Sequence, residues 1–317
     1  MMSVNEFLAQ DFKIVRQIIE HEISPDTVLV KQKSFELFQN GGKKIRPTFT
    51  LLVGKLGDEF YQQDIYCVAA SLELIHMATL VHDDIIDDSK LRRGRATVYY
   101  ERGYHQAVFT GNYLLSAALK LVSHIENPEF HTVYAETIQT IVQGELNQFE
   151  QQFNASITLE EYFEKTYRKT ALLIETSVVL GALASHLSEM LTEQLKTYAY
   201  HIGMSFQIID DCLDFTGDEK TIGKPKYSDM KNGHYTLPVI LLRDKDPVFK
   251  EMLHRYSNDR AAVEPLIERI LNSDSIDQAL AKSTYHIDEA IRATERIPAD
   301  IRNYLIDMAD KLQKRIS

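Results

Sequence analysis

Two short acidic runs in opposite halves of the chain carry the residue types best suited to chemistry: Asp83-Asp84-Ile85-Ile86-Asp87 and Asp210-Asp211-Cys212-Leu213-Asp214. On a helix, positions i and i+4 share a face, so Asp83 stands above Asp87 and Asp210 above Asp214. Carboxylate oxygens suit hard divalent cations, and two such helices facing each other are expected to form a cation cage that attracts a polyanion. A single match would carry little. Asp and Glu make up 46 of the 317 residues, and an acid-acid-x-x-acid pattern arises by chance about once in a chain so composed. Two all-Asp matches, each ending an apolar run (Leu80-Val81-His82 and Gln207-Ile208-Ile209), are more telling. The bland alternative is a pair of solvated helix ends, where carboxylates would oppose the helix dipole.

The elements that must position these groups read as helices throughout. Apolar residues recur at periods of three and four over 4–21, 28–39, 47–57, 62–88, 104–124, 128–152, 159–187, 189–215, 237–256, 259–272, 275–295 and 298–316. Asn40-Gly41-Gly42 ends one helix and Pro47 permits the next. No alternating strands or hairpin signals stand out. Residues 89–98 and 216–236 read as loops, each following an acidic run and each basic or Gly-rich for this chain. With no Pro/Gly/Ser-rich linker or low-complexity segment, the expectation is one all-α domain over residues 1–317, a large helical bundle around a central cavity.

Composition narrows the function classes. The net charge is −11, which argues against nucleic acid as a partner. The N-terminus Met1-Met2-Ser3-Val4-Asn5-Glu6 lacks the pattern of a secretory signal. The longest near-apolar stretch, Ala171 to Ala184, is interrupted by Glu175, Thr176 and Ser177 and is too short and polar to span a bilayer. Cys67 and Cys212, in apolar helical segments at no metal-ligand spacing, read as reduced core residues of a cytoplasmic protein.

Basic groups lie close to the acids in sequence: Lys90-Leu91-Arg92-Arg93-Gly94-Arg95 after the first run, Gly223-Lys224-Pro225-Lys226 after the second, and Gly41-Gly42-Lys43-Lys44-Ile45-Arg46-Pro47 at a helix junction. Arg forks and Lys point charges suit phosphate oxygens; alone, each cluster could equally be solvated surface charge. Together with the carboxylates they hint at two diphosphate sites, one held through metal and one by basic side chains.

At this point the chain resembles the trans-polyprenyl diphosphate synthases, the family of farnesyl and geranylgeranyl diphosphate synthases. The resemblance runs over essentially the full length. It is carried in order by residues 41–47, Glu73-Leu74-Ile75-His76, residues 80–94, Gln143-Gly144-Glu145, Arg168-Lys169-Thr170-Ala171, residues 206–215, and Gly223-Lys224-Pro225 with Asp229. The wording His76-Met77-Ala78 and Gly233-His234-Tyr235-Thr236-Leu237-Pro238 is most similar to the larger subunit of two-component hexaprenyl or heptaprenyl diphosphate synthases.

The resemblance implies head-to-tail condensation of isopentenyl diphosphate with an allylic diphosphate. It implies Mg²⁺, three ions with substrate bound, held by Asp83, Asp84, Asp87, Asp210, Asp211 and Asp214. Arg92, Lys169 and Lys224 would bind the allylic diphosphate; Lys43, Arg46, His76 and Arg93 would bind isopentenyl diphosphate. Lys169, Thr170 and Gln207 are the implied catalytic residues, with the oxygens of Thr170 and Gln207 turned toward the allylic cation. On their own residue types, His76 could be a core histidine, and Thr170 and Gln207 could simply bond backbone. His234 stands where farnesyl synthases tend to carry Lys. The implied assembly is a homodimer, or a heterodimer with a small regulatory subunit, and the product would pass to a membrane.

Chain length is expected to be set on the first acidic helix. Thr79, Ala78 and Ile75 lie four, five and eight residues before Asp83. In short-chain members a bulky aromatic near the first two positions stops growth; here both are small, which points to a product longer than farnesyl. A geranylgeranyl or farnesyl synthase remains the alternative within the family. Outside it stand a terpene cyclase, disfavoured by the basic clusters and the second all-Asp run, and a non-catalytic synthase subunit, which would show eroded Asp runs.

Overall fold

Several helices in this chain begin at a side-chain cap or a proline. The computed structural model describes residues 3–23, 28–39, 44–92, 94–217, 226–260 and 262–315. The all-α expectation holds. By their contacts the residues divide into two compact units, 1–135 with 176–196 and 136–175 with 197–317.

In the first unit, α1 (Val4–Phe7) opens on a capping box in which the Ser3 hydroxyl accepts from the Glu6 N–H and the Glu6 carboxylate accepts from the Ser3 N–H. Leu8 separates it from α2 (Ala9–Glu22), so the helix expected over 4–21 is two pieces. After α3 (Val28–Gln39), α4 (Ile45–Gly54) starts from Lys44 in the left-handed region (φ 51°). α5 (Gln62–Ile86) contains neither Gly nor Pro and is apolar on most sides, and it packs against α2, α4 and α6 (Val98–Val122). By length and composition α5 could cross a bilayer, which the shorter stretch 171–184 could not. With 72% of its most apolar window buried it is a core helix instead.

The loop expected at 89–98 contains a two-residue antiparallel hairpin, β1 (Leu91–Arg92) with β2 (Arg95–Ala96), turning through Gly94 at φ 75°. Thr97 then caps α6 by accepting from the Tyr100 N–H. α6 therefore begins before the residue 104 expected from periodicity. Gly103 (φ 79°, ψ 175°) interrupts it there, which is why the regular period starts only at 104.

α7 (Pro128–Glu150) spans the boundary in sequence between the units. In the second unit α8 (Leu159–Thr166) has a Thr158/Glu161 capping box and runs into one π-helical turn, Tyr167–Ala171, before α9 (Leu172–Ser185), whose residues from 176 belong to the first unit. α10 (Glu189–Thr216) passes this turn at Gly203, where an added Cβ would lie 2.5 Å from the Ala171 Cα. Only glycine allows that approach, and it seats the π turn against the helix that carries the second acidic run.

A short α11 (Ser228–Lys231) follows, then α12 (Leu237–Lys245) and α13 (Pro247–Asp259). The single helix expected over 237–256 is cut because Pro247 has no N–H to donate, and Asp246 caps the new start by accepting from Val248 and Phe249. α14 (Glu264–Leu271), α15 (Ser275–Ala293) and α16 (Ala299–Gln313) complete the chain. Tyr162, Ile208, Cys212, Phe215, Tyr235 and Phe249 are among the buried side chains of one apolar cluster that holds α8, α10, α12 and α13 together.

Candidate active site

The first acidic run occupies the end of α5, with Asp87 as its C-terminal cap. Asp83 is partly exposed and Asp87 exposed, whereas Asp84 is 2% exposed. Arg92 on β1 donates from Nε to the Asp84 Oδ1 at 2.8 Å, so the hairpin is tied to the acidic helix end by a part-buried ion pair. Burial pushes the Asp84 pKa up, and the Arg92 charge and hydrogen bond work against that. Removing Arg92 would leave a buried carboxylate uncompensated. Ser89 N–H donates back to the Asp84 carbonyl and the Thr97 hydroxyl to the Ser89 carbonyl, which fixes the turn into the hairpin.

His76 and Arg46, on α5 and α4 of the same unit, are half-buried. Ile75 and Ala78 are buried at 2% and 3%, and the half-buried Thr79 hydroxyl donates to the His76 carbonyl. Lys43, Arg93 and Lys224 lie outside the described residues.

In the second unit the acidic run sits in the last turns of α10. Asp210 is the accessible member, its side chain 41% exposed, with the Arg315 Nη2 3.9 Å away. Asp211 and Asp214 are 4% and 0% exposed. Asp211 accepts from the Tyr162 hydroxyl and from the Gln207 Nε2, each at 2.7 Å. Gln207 Oε1 accepts from the Thr170 hydroxyl at 2.6 Å. Asp214 accepts from the Ser228 hydroxyl and the Asp229 N–H, so it ties α11 to α10. Lys169 donates to the buried Gln148 of α7 at 2.8 Å. His234 donates its backbone N–H to the Asp229 carbonyl.

The six carboxylates thus fall into two kinds. Asp83, Asp87 and Asp210 reach solvent; Asp84, Asp211 and Asp214 are buried and bonded to protein donors. Within each unit the fold brings Arg92 to Asp84, and Thr170 and Gln207 to Asp211.

Burial first, then the nearby Asp229 charge, pushes the Asp211 pKa up to about 7, against the hydrogen bonds from Tyr162 and Gln207 and the Lys165 charge. The folded state therefore binds this proton more tightly than the unfolded chain. Its stabilising contribution is complete below the ordinary carboxylate pKa of about 4 and is lost as pH rises to about 7. Asn cannot titrate. In metal-free buffer the melting temperature of Asp211→Asn minus that of the wild type should grow more positive between about pH 4 and pH 7. A difference independent of pH, followed by differential scanning fluorimetry, would contradict the assignment.

Tyr162, Lys165, Gln148, Ser228 and Arg315 were not evident as site residues from sequence. A signal for two of them existed: Tyr162, Lys165 and Lys169 fall at i, i+3 and i+7, the spacing of one helix face. Lys165 feels Asp211, Asp229 and Glu145, although burial is the larger influence and lowers its pKa. Gln148 and Arg315 come from distant segments and left no such trace.

The sequence model of the polyprenyl synthetase family matches residues 28–272. Heptaprenyl diphosphate synthase component 2 of Bacillus subtilis is 38% identical over 312 residues, covering 98% of this chain and 89% of that protein. The crystal structure of heptaprenyl diphosphate synthase from Staphylococcus aureus superimposes with a TM-score of 0.93 at 39% identity, over 98% of this chain and 99% of that one. A polyprenyl synthase from Caulobacter crescentus, solved with calcium and isoprenyl diphosphate, gives 0.91 at 28% identity over 98% and 97%. The chain belongs to the polyprenyl synthetase family and is a trans-prenyltransferase.

Proposed function

We propose that this prenyltransferase condenses isopentenyl diphosphate with an allylic diphosphate such as farnesyl diphosphate, giving an all-trans hexaprenyl or heptaprenyl diphosphate. The observation that carries the reading is the end of α5: accessible Asp83 and Asp87 one turn apart, with the small Ala78 and Thr79 in the turns below them. The names of the Bacillus and Staphylococcus relatives support the same length class.

Asp83, Asp87 and Asp210 hold the metal-bound diphosphate, and Asp84, Asp211 and Asp214 hold the shape of the two helix ends. The donors fit Mg²⁺ by their chemistry: they are hard carboxylate oxygens, and this ion takes one or two carboxylates and completes its shell with water and phosphate. The cation cage expected from the two acidic runs does not stand as a group of three or more ligating side chains among the described residues. Mg²⁺ bound there supplies neutralisation of the departing diphosphate.

The allylic C–O bond breaks, the isopentenyl double bond forms the new C–C bond, and a proton leaves to restore a double bond. Lys169, steadied by Gln148, binds the leaving diphosphate together with Arg92 and Lys224. Thr170 and Gln207 stabilise the cation. Lys43, Arg46, His76 and Arg93 take isopentenyl diphosphate.

Titration calorimetry with the unreactive farnesyl thiolodiphosphate tests the site. Binding should require Mg²⁺ and disappear with chelator; equal affinity in both would contradict it.

A second reading concerns assembly. Val142, Leu146 and Phe149 on α7, at i, i+4 and i+7, are 53%, 54% and 61% exposed. That is an apolar stripe of the kind that takes a partner helix. Together with the "component 2" in the relatives' names, it supports a heterodimer with a small subunit over a homodimer. The acidic balance and the buried, free Cys67 and Cys212 support a cytoplasmic location.

A further inference from the structure

Four side chains of α8, the π turn and α10 form one run of hydrogen bonds whose directions are fixed when Asp211 is ionised. Ionised Asp211 can only accept. Its Oδ2 therefore takes the Tyr162 hydroxyl hydrogen, and its Oδ1 takes a hydrogen from the Gln207 Nε2. The opposite amide orientation would set the Gln207 oxygen against the carboxylate at the same 2.7 Å. With Nε2 committed, Gln207 Oε1 faces Thr170 and accepts its hydroxyl hydrogen at 2.6 Å. The Thr170 lone pairs are then turned away from Gln207, in the sense needed to meet positive charge.

The fixed end of this run is Tyr162. Its side chain is fully buried in the apolar cluster, and the capping box at the start of α8 anchors its helix. Gln207 and Thr170 have no comparable anchor of their own. Gln207 is half-buried on α10, and Thr170 sits in the π turn, whose conformation depends on the close approach of Gly203.

We propose that Tyr162 is a positioning residue for prenyl transfer. Through Asp211 it fixes the amide orientation of Gln207, and through Gln207 the direction of the Thr170 hydroxyl. Asp211 then serves as an internal hydrogen-bond acceptor rather than as a metal ligand. The proposal rests on the roles given above to Thr170 and Gln207. The Tyr162 hydroxyl bonds to Asp211 and not to Thr170 or Gln207, so removing it acts on them through Asp211.

The test compares Tyr162→Phe with wild type by steady-state kinetics and by ¹⁵N spectra of the side-chain amides, the Gln207 pair being assigned by its loss in Gln207→Leu. Removing one hydrogen bond to a charged group predicts a kcat lower by about ten- to a hundredfold, with both KM values and the Mg²⁺ half-saturation within about twofold. The Gln207 amide signals should shift and exchange faster with water. Unchanged kcat with a lowered melting temperature would reduce Tyr162 to a core residue and overturn the proposal. So would a Mg²⁺ half-saturation raised tenfold or more, which would make Asp211 a ligand.

Should Tyr162→Phe fail to fold, Asp211→Asn answers the same question. An Asn amide bonded to Tyr162 through its oxygen turns its nitrogen to Gln207 and inverts the Gln207 amide. The same kcat loss and spectral change are expected with Mg²⁺ dependence retained; wild-type kcat or an unchanged Gln207 signal would overturn the proposal. If the wild type elongates no primer, the functional reading has failed, and the spectra alone decide whether Tyr162 holds Gln207.

Discussion

Asp83→Ala and Asp210→Ala each lower turnover by at least about a hundredfold, while the melting temperature of the metal-free protein changes little. A hundredfold corresponds to about 2.7 kcal/mol of barrier, a modest demand for a carboxylate that holds the ion neutralising a leaving diphosphate. The stability half of the expectation comes from exposure. Asp83 and Asp210 are reached by solvent, and the ion pair of Asp210 with Arg315 is a long one at 3.9 Å. The buried carboxylates should behave in the opposite way. Asp214→Ala empties a buried position and leaves the half-buried Ser228 hydroxyl and Asp229 N–H without their acceptor, so it should unfold the protein more readily. Initial rates at saturating substrates and Mg²⁺, set beside thermal melts, separate the two kinds. Wild-type turnover in either exposed-site variant would remove the basis for the metal assignment.

Ala78→Tyr and Ala78→Phe shift the product toward farnesyl or geranylgeranyl diphosphate and leave the early condensations active. Ala78 lies five residues before Asp83 on α5, about one and a half turns or roughly 7–8 Å along the axis from that carboxylate. On the proposed function a ring there would stand across the path of a tail growing down the helix, while Asp83 and Asp87 keep their place on it. The position is 3% exposed, which gives the experiment a second readout. If Ala78 borders space kept for the product, an aromatic ring enters it at little cost. If it is packed core, overpacking costs about 1–3 kcal/mol and lowers the melting temperature without shortening the product. Wild-type product length in a destabilised variant would show that Ala78 does not border that path.

Much of the fold was legible because its helices are long and periodic. α5 and α10, which carry the acidic runs, lie within the ranges expected from apolar spacing to within a few residues. The errors fall where one residue overrides the period. Pro247 cuts a helix that continues in its hydrophobic pattern, Gly103 lets α6 start earlier than its regular turns, and Leu8 divides the first helix. The hairpin at Leu91–Ala96 has strands too short to show alternation. For the site, the carboxylates and Thr170 and Gln207 were readable as types in order. Their division into accessible and buried was not, because it depends on which side of α5 and α10 the rest of each unit covers. Tyr162 reaches Asp211 across 49 positions of sequence, and Gln148 reaches Lys169 across 21, separations at which spacing carries no signal.

The central claim is Mg²⁺-dependent chain elongation, and sizing the product tests it most directly. The purified chain, alone and with a small partner subunit, is incubated with farnesyl diphosphate, labelled isopentenyl diphosphate and Mg²⁺, and the dephosphorylated products are separated by length. The account predicts all-trans products longer than farnesyl, in the hexaprenyl to heptaprenyl range, formed with Mg²⁺ and absent with chelator. No elongation under either condition, a cyclic hydrocarbon, or a product that never exceeds farnesyl would contradict it.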